Sequence, residues 1–114
     1  MNLSVYFVTP ELPARPLAKL VMQAARGGAS IIQLRDKTSS DVEMTKTAKQ
    51  LMSLLAPFSV PLIINDRIEV ALACDAAGLH VGQRDLPVAE MRRALGPHRL
   101  LGLSIETLDH YVLL

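Results

Sequence analysis

Short apolar runs alternate with helical patterns along the whole chain. Residues 3–8 read as a first strand, stopped by Thr9-Pro10. Leu17, Leu20, Val21, Ala24 and Ala25 then recur at the spacing of one helix face, and Gly27-Gly28 ends that helix. Residues 30–34 form a second predicted strand. Ser40 and Glu43 have capping-box spacing, and Thr45, Ala48, Met52 and Leu55 predict the apolar face of the helix behind them. Pro57 and Pro61 bracket its exit. Residues 60–64 read as a third strand, 66–74 as a short helix and 79–81 as a fourth strand. Pro87 suits the first turn of a fourth helix and Gly96-Pro97 its end. Residues 100–103 give a fifth strand, and 107–114 begin a fifth helix. The pattern is α/β, with four complete βα units and part of a fifth. One domain over residues 1–114 is the expectation.

The strands end in an informative way. Ile31-Ile32-Gln33-Leu34-Arg35-Asp36-Lys37 and Leu62-Ile63-Ile64-Asn65-Asp66-Arg67 are apolar runs that turn abruptly polar. Gly78-Leu79-His80-Val81-Gly82-Gln83-Arg84-Asp85-Leu86-Pro87 does the same. Buried parallel strands read this way, with chemistry at their C-terminal ends. Alternation puts Gln33, Arg35 and Lys37 on one face, and Ile32 and Leu34 on the other. Cations on an inward face need an anionic partner. The alternative is a solvated loop in which Arg35 and Lys37 pair with Asp36 or Asp41. Asn65-Asp66 and Asp85 also have a plain alternative as helix N-caps. Asp66 and Asp85 nevertheless end consecutive strands, which lie ~5 Å apart when adjacent. Two such carboxylates suit one hard cation, and Mg2+ takes oxygen ligands while sharing its sphere with phosphates. Together these features suggest a site for a metal-bound, multiply charged anion.

Composition narrows the classes. Half the 114 residues are hydrophobic but only 4% are aromatic, so Leu, Ile, Val, Ala and Met must build the core. Net charge is +1 with no basic stripe, which argues against nucleic acid. There is no membrane-length apolar stretch and no signal-peptide pattern. Cys74, the lone cysteine, reads as a small core residue and fits a reducing cytoplasm. His80, on or just after a strand, reads as structural, and His98 and His110 as surface residues. Ser104 ends the fifth strand and could donate to a phosphate. No Ser/His/Asp pattern supports a nucleophile, and neither GxGxxG nor a P-loop is present.

Four segments in order resemble the thiamine phosphate synthase family: Tyr6-Phe7-Val8-Thr9, Gln33 through Lys37, Pro61 through Arg67, and Gly82 through Pro87. Gly102-Leu103-Ser104 continues the match, so the resemblance covers essentially the whole chain. It implies a TIM (β/α)8 barrel, of which this chain is the N-terminal portion. The implied reaction joins an aminopyrimidine diphosphate to a thiazole phosphate, giving thiamine phosphate and pyrophosphate. By the same resemblance, Gln33, Arg35, Lys37 and Asn65 would hold the pyrimidine diphosphate. Ser104 would contact the diphosphate or the pyrimidine side, and Asp66 and Asp85 would hold Mg2+. Arg84 departs from the family, whose members often carry an acidic residue there. Residues 104–107 match more loosely.

Length is the largest departure, because a (β/α)8 barrel needs roughly 200 residues or more. The apolar ending Tyr111-Val112-Leu113-Leu114 reads as a helix cut short, and a small open sheet ending in a docked helix is the other reading. An open half-barrel predicts an exposed strand edge, with self-association, a partner half or marginal stability. Two other functions stay open. One is a thiazole tautomerase of similar fold, against which Asp85 argues. The other is a non-catalytic chain that binds diphosphate or a partner.

Overall fold

The computed structural model describes residues 3–82 and 87–104. Within them, five strands alternate with four helices: β1 (Tyr6–Val8), α1 (Ala14–Arg26), β2 (Ile31–Leu34), α2 (Asp41–Leu55), β3 (Leu62–Asn65), α3 (Ile68–Cys74), β4 (Gly78–Val81), α4 (Val88–Leu95) and β5 (Leu100–Leu103). A 3-10 turn, Ala56–Phe58, follows α2. Every strand pairing is parallel, and sheet order follows chain order from β1 to β5. Parallel neighbours cannot be joined by a hairpin, so each helix carries the chain back to the start of the next strand. Crossovers of one hand put the helices on one face. There α1 packs on α2, α2 on α3, and α3 on α4.

The core lies between this helical layer and the sheet. Strand alternation sends Ile32, Leu34, Leu62, Ile64, Leu79 and Val81 into it. Leu17, Val21 and Ala25 of α1, Met44, Ala48, Leu51 and Leu55 of α2, and Met91 and Leu95 of α4 meet them. The expected aliphatic core is therefore present. Cys74 is a free, buried thiol in the same cluster, and burial pushes it above its ordinary pKa, against weaker opposition from backbone hydrogen bonds.

Some expected boundaries shift. The buried stripe of α2 is Met44-Ala48-Leu51-Leu55, so Thr45 and Met52 lie one step round the helix at its margin. Ala48 and Leu55 are as predicted. The Ser40 hydroxyl accepts from the Glu43 N–H at 3.2 Å, so the N-cap stands where expected. Gly28 takes a φ of 106°, a conformation that stops α1 without strain only at glycine. The strand β3 extends to Asn65, and α3 begins at Ile68 rather than at 66, because Asp66 adopts a left-handed φ of 66°. Pro87 is the N-cap of α4 rather than its first helical residue. The fifth helix expected over 107–114, with His110, and the segment carrying Gln83, Arg84 and Asp85 lie outside the described residues. Within the described residues no helix is long and apolar enough to cross a membrane.

Candidate functional site

The face of the sheet away from the helices carries Ile31 and Gln33 of β2, Ile63 and Asn65 of β3, and Gly78 and His80 of β4. Each strand presents an apolar or small residue first and a polar one at its C-terminal end. Register sets Asn65 beside His80, with Gln33 between Val8 and Ile63 and Gly102 beside His80. The ladder runs on past the strands. Asp66 N–H donates to the His80 carbonyl at 2.8 Å, and Ser104 N–H donates to the Val81 carbonyl at 3.0 Å.

A chain of side-chain hydrogen bonds crosses these ends. Gln33 is buried, 4% exposed, where an unpaired amide would be costly. Its Nε2 donates to the Tyr6 hydroxyl at 3.1 Å, and its Oε1 accepts from Asn65 Nδ2 at 2.7 Å. Asn65 Oδ1 in turn accepts from Lys37 Nζ at 2.9 Å, and the same ammonium pairs with the Asp66 carboxylate. Gln33 and Lys37 from the end of β2, and Asn65 and Asp66 from the end of β3, thus form one cluster. The left-handed turn at Asp66 makes this convergence geometrically possible. Lys37 and Asp66 are both more than a third exposed, so their pairing contributes only ~0–1 kcal/mol to stability. Its importance is positional.

Arg35 lies one residue beyond β2 and is exposed. Its N–H donates to the buried Thr9 Oγ1 at 3.1 Å, while its guanidinium forms no hydrogen bond or ion pair with the described residues. The loop alternative is half right, since Arg35 and Lys37 do lie past the strand. Its pairings are not those found. Lys37 pairs with Asp66, and Asp41 pairs with Arg67 at 3.2 Å. Asp36 instead accepts from the N–H groups of Thr38 and Ser39, each at 2.9 Å. Burial pushes the Asp36 carboxyl upward, but the hydrogen bonds from Ser39 and Thr38 outweigh it and leave the group below its ordinary pKa of 3.8. The capping alternative for Asn65-Asp66 is not what forms either. The N-cap of α3 is Arg67, with no side-chain capping bond.

Ser104 pairs with His80, whose Nε2 lies 2.8 Å from Ser104 Oγ. This pairing was not legible in the sequence, where the two residues are 24 apart. Gly102 permits it, because a Cβ there would sit 2.5 Å from His80 Nδ1. Burial pushes the imidazole below 6.5, while the charge on Asp66 pulls it partly back. No carboxylate among the described residues hydrogen-bonds Nδ1, and the arrangement lacks the third member of a hydrolytic triad.

Sequence reasoning also gave no role to Tyr6, Thr9, Glu11 or Arg67, all of which bond to this cluster or its loop. Thr9 and Arg67 carried a usable signal, since each follows a strand end as Arg35 does. Asp85 lies outside the described residues. Among the described residues, no group of three or more His, Cys, Asp or Glu side chains could hold a metal. Oxygen donors are nevertheless gathered here, since Asn65 Oδ1 and the Asp66 carboxylate already converge on one cation, the Lys37 ammonium. Such hard oxygen ligands suit Mg2+.

A family model described as thiamine monophosphate synthase matches residues 5–114. Thiamine-phosphate synthase from Shouchella clausii (strain KSM-K16) is 46% identical over 107 residues, covering 92% of this chain and 51% of that protein. Thiamine-phosphate synthase from Xanthobacter autotrophicus (strain ATCC BAA-1158 / Py2) is 49% identical over 106 residues, covering 91% and 50%. Among solved structures, thiamine phosphate pyrophosphorylase from Pyrococcus furiosus is similar with a TM-score of 0.86 at 31% identity, over 96% of this chain and 54% of that one. The chain spans about half the length of the curated relatives it matches. The ordered strand-end residues, the parallel sheet and a family match running from residue 5 to residue 114 lead to one conclusion: this chain belongs to the thiamine monophosphate synthase family.

Proposed function

We propose that this chain carries the pyrimidine diphosphate half of a thiamine phosphate synthase site. The reaction joins 4-amino-2-methyl-5-hydroxymethylpyrimidine diphosphate to thiazole phosphate and releases pyrophosphate. The observation that carries this reading is the convergence of Gln33, Lys37, Asn65 and Asp66 at the C-terminal ends of neighbouring parallel strands. Arg35 and Lys37 supply fixed positive charge where the diphosphate leaves, which is electrostatic stabilisation of developing charge. Gln33 and Asn65 present amides suited to orienting the pyrimidine. Ser104, held by His80, offers a hydroxyl to the diphosphate or the pyrimidine side. Asp66, with Asp85 as its sequence-derived partner, would hold Mg2+, and Asn65 adds a further oxygen. Mg2+, when bound, would neutralise part of the leaving group's charge. The electron-rich pyrimidine can carry the methylene cation left by C–O cleavage, and the thiazole nitrogen can attack it, so no protein nucleophile is required.

The fold supports the finer architectural reading too. Strands added in chain order, with helices on one face and no reversal, support reading the sheet as the beginning of a (β/α)8 barrel rather than of a doubly wound sheet. We read residues 1–114 as a single domain of about four and a half βα units. Among the described residues β1 and β5 do not pair, and Leu3, Val5, Tyr6 and Val8 near the β1 edge are exposed. An edge of this kind supports self-association or pairing with a complementary half. The free buried thiol of Cys74 is in keeping with a cytoplasmic setting.

The test is formation of thiamine phosphate by this chain and by a version extended with the C-terminal half of a curated relative. The extended version should need both substrates and Mg2+, whereas the chain alone should show little turnover. Conversion of a thiazole phosphate isomer by the extended version without any pyrimidine would favour the tautomerase reading and overturn this one.

A further inference from the structure

We infer that Arg67 is a positioning residue, whose guanidinium sets the shape of the loop that presents Arg35 and Lys37. Its guanidinium reaches across a whole loop. Nη1 donates to the Ser39 carbonyl at 2.5 Å and to Asp41 Oδ1 at 3.2 Å, and Nη2 donates to the Asp36 carbonyl at 3.0 Å. These acceptors span the β2–α2 loop from the residue after Arg35 to the first residue of α2. A planar guanidinium with a fixed fork of donors can join several acceptors at once, whereas a lysine ammonium is a point charge.

The other side of the loop is tied to the end of β1. Arg35 N–H bonds to Thr9 Oγ1, and Lys37 N–H bonds to Glu11 Oε1 at 2.9 Å. Asp36 Oδ1 takes the N–H groups of Thr38 and Ser39. Four of the loop's N–H groups, those of Arg35, Lys37, Thr38 and Ser39, thus donate to side-chain oxygens, and two of its carbonyls accept from Arg67. The three consecutive residues Asn65, Asp66 and Arg67 all reach this loop, the first two at Lys37 and the third at its backbone. The Arg67 side chain is 22% exposed, and both of its terminal nitrogens bond the loop. It therefore acts through Arg35 and Lys37 and does not itself serve as an anion ligand. Preorganising two cations lowers the ordering cost that a multiply charged ligand would otherwise meet. The consequence for binding rests on the pyrimidine diphosphate reading, but the consequence for loop order does not.

The experiment uses the 114-residue chain with Arg67→Lys, Arg67→Ala and Arg35→Ala. Amide hydrogen exchange is read residue by residue, and affinity is measured with inorganic pyrophosphate by calorimetry. With Arg67→Lys, exchange at Thr38 and Ser39 should rise about tenfold or more, the scale of losing hydrogen bonds to a charged group, while β2 and β3 keep their protection. Pyrophosphate affinity should fall about tenfold, by the same scale, without a matching fall in the melting temperature. With Arg35→Ala, affinity should fall while loop exchange stays at the parent level. A purely structural role would lower protection throughout the chain and leave the affinity of the folded fraction unchanged, and that result overturns the inference. Unchanged exchange at Thr38 and Ser39 in Arg67→Lys also overturns it. If the parent chain failed to bind pyrophosphate, the pyrimidine diphosphate reading would fall, and loop exchange would still decide the role of Arg67. Should Arg67→Ala not fold, Arg67→Lys carries the decision.

Discussion

On β2, Ile32 and Leu34 face the helices while Ile31 and Gln33 face away, and on β3 the same alternation divides Leu62 and Ile64 from Ile63 and Asn65. The helix-facing set is uniformly apolar along each strand. The other set changes character with depth, apolar at Ile31 and Ile63 and polar at Gln33 and Asn65. Burial does not separate the faces, since Gln33 is as buried as Ile63. What separates them is whether a buried atom needs a specific partner. The helix-facing side chains need only volume and contact, which is how cores are stabilised. Gln33 needs Tyr6 and Asn65 at particular angles and holds them there in return. Stability therefore resides chiefly on one face, and the proposed chemistry at the far end of the other.

The largest expected effect is in the helical layer. Leu51→Ala, at a fully buried position, should cost ~2–5 kcal/mol in denaturant unfolding. A cost near that of a surface substitution would break the contrast. Next comes Gly102→Ala, whose Cβ would meet the His80 ring, with a cost of ~1–3 kcal/mol as for other overpacked sites. It should also separate His80 from Ser104, which an NMR shift of the His80 ring nitrogens would report. An unchanged ring signal would argue that the backbone, not the imidazole, gives way. A smaller effect is expected from Gln33→Leu, because it exchanges two neutral hydrogen bonds for apolar volume and should change stability by no more than ~2 kcal/mol. Its mark should appear in ligand binding instead, and a folding defect as large as that of Leu51→Ala would contradict the division of labour.

The smallest effects are pH-dependent, and they fall in separate windows. His80 has a folded pKa below 6.5, so the unfolded chain binds more protons in that region. Its contribution is complete above the unfolded value and is lost as pH falls through the folded one. His80→Gln should flatten this part of the stability profile. Asp36, also depressed, contributes above its unfolded value and loses that contribution only as pH falls below 3.8 toward its folded value. Asp36→Asn should leave the histidine window intact. A single merged transition, abolished by either substitution, would contradict the assignment.

Much of this division was legible in the sequence. Alternation in Ile31-Ile32-Gln33-Leu34 named the polar residue that turns away from the helices, and abrupt polar endings named Lys37, Asn65 and Asp66. The strand order could be read because consecutive βα units leave few alternatives. The misses have local causes. Thr45 and Met52 follow an apolar spacing almost as good as Met44-Ala48-Leu51-Leu55, and only packing against β3 and α3 selects between them. The left-handed turn at Asp66 was hidden because aspartate at a strand end reads first as a helix cap. Without that turn, neither the meeting of Asp66 with Lys37 nor the reach of Arg67 across the loop could be inferred. The His80–Ser104 pair depends on register between β4 and β5 and on the missing side chain of Gly102, which no local pattern encodes.

The central claim is that the mouth of β2 and β3 binds a diphosphate through Arg35 and Lys37. The most direct measurement is calorimetric titration of the extended protein with the pyrimidine diphosphate and, separately, with the thiazole phosphate, before and after Arg35→Ala. The account predicts that the substitution weakens the pyrimidine diphosphate about tenfold or more, the scale of a lost charge-assisted hydrogen bond, and leaves the thiazole phosphate close to its parent affinity. Equal weakening of both ligands would contradict it.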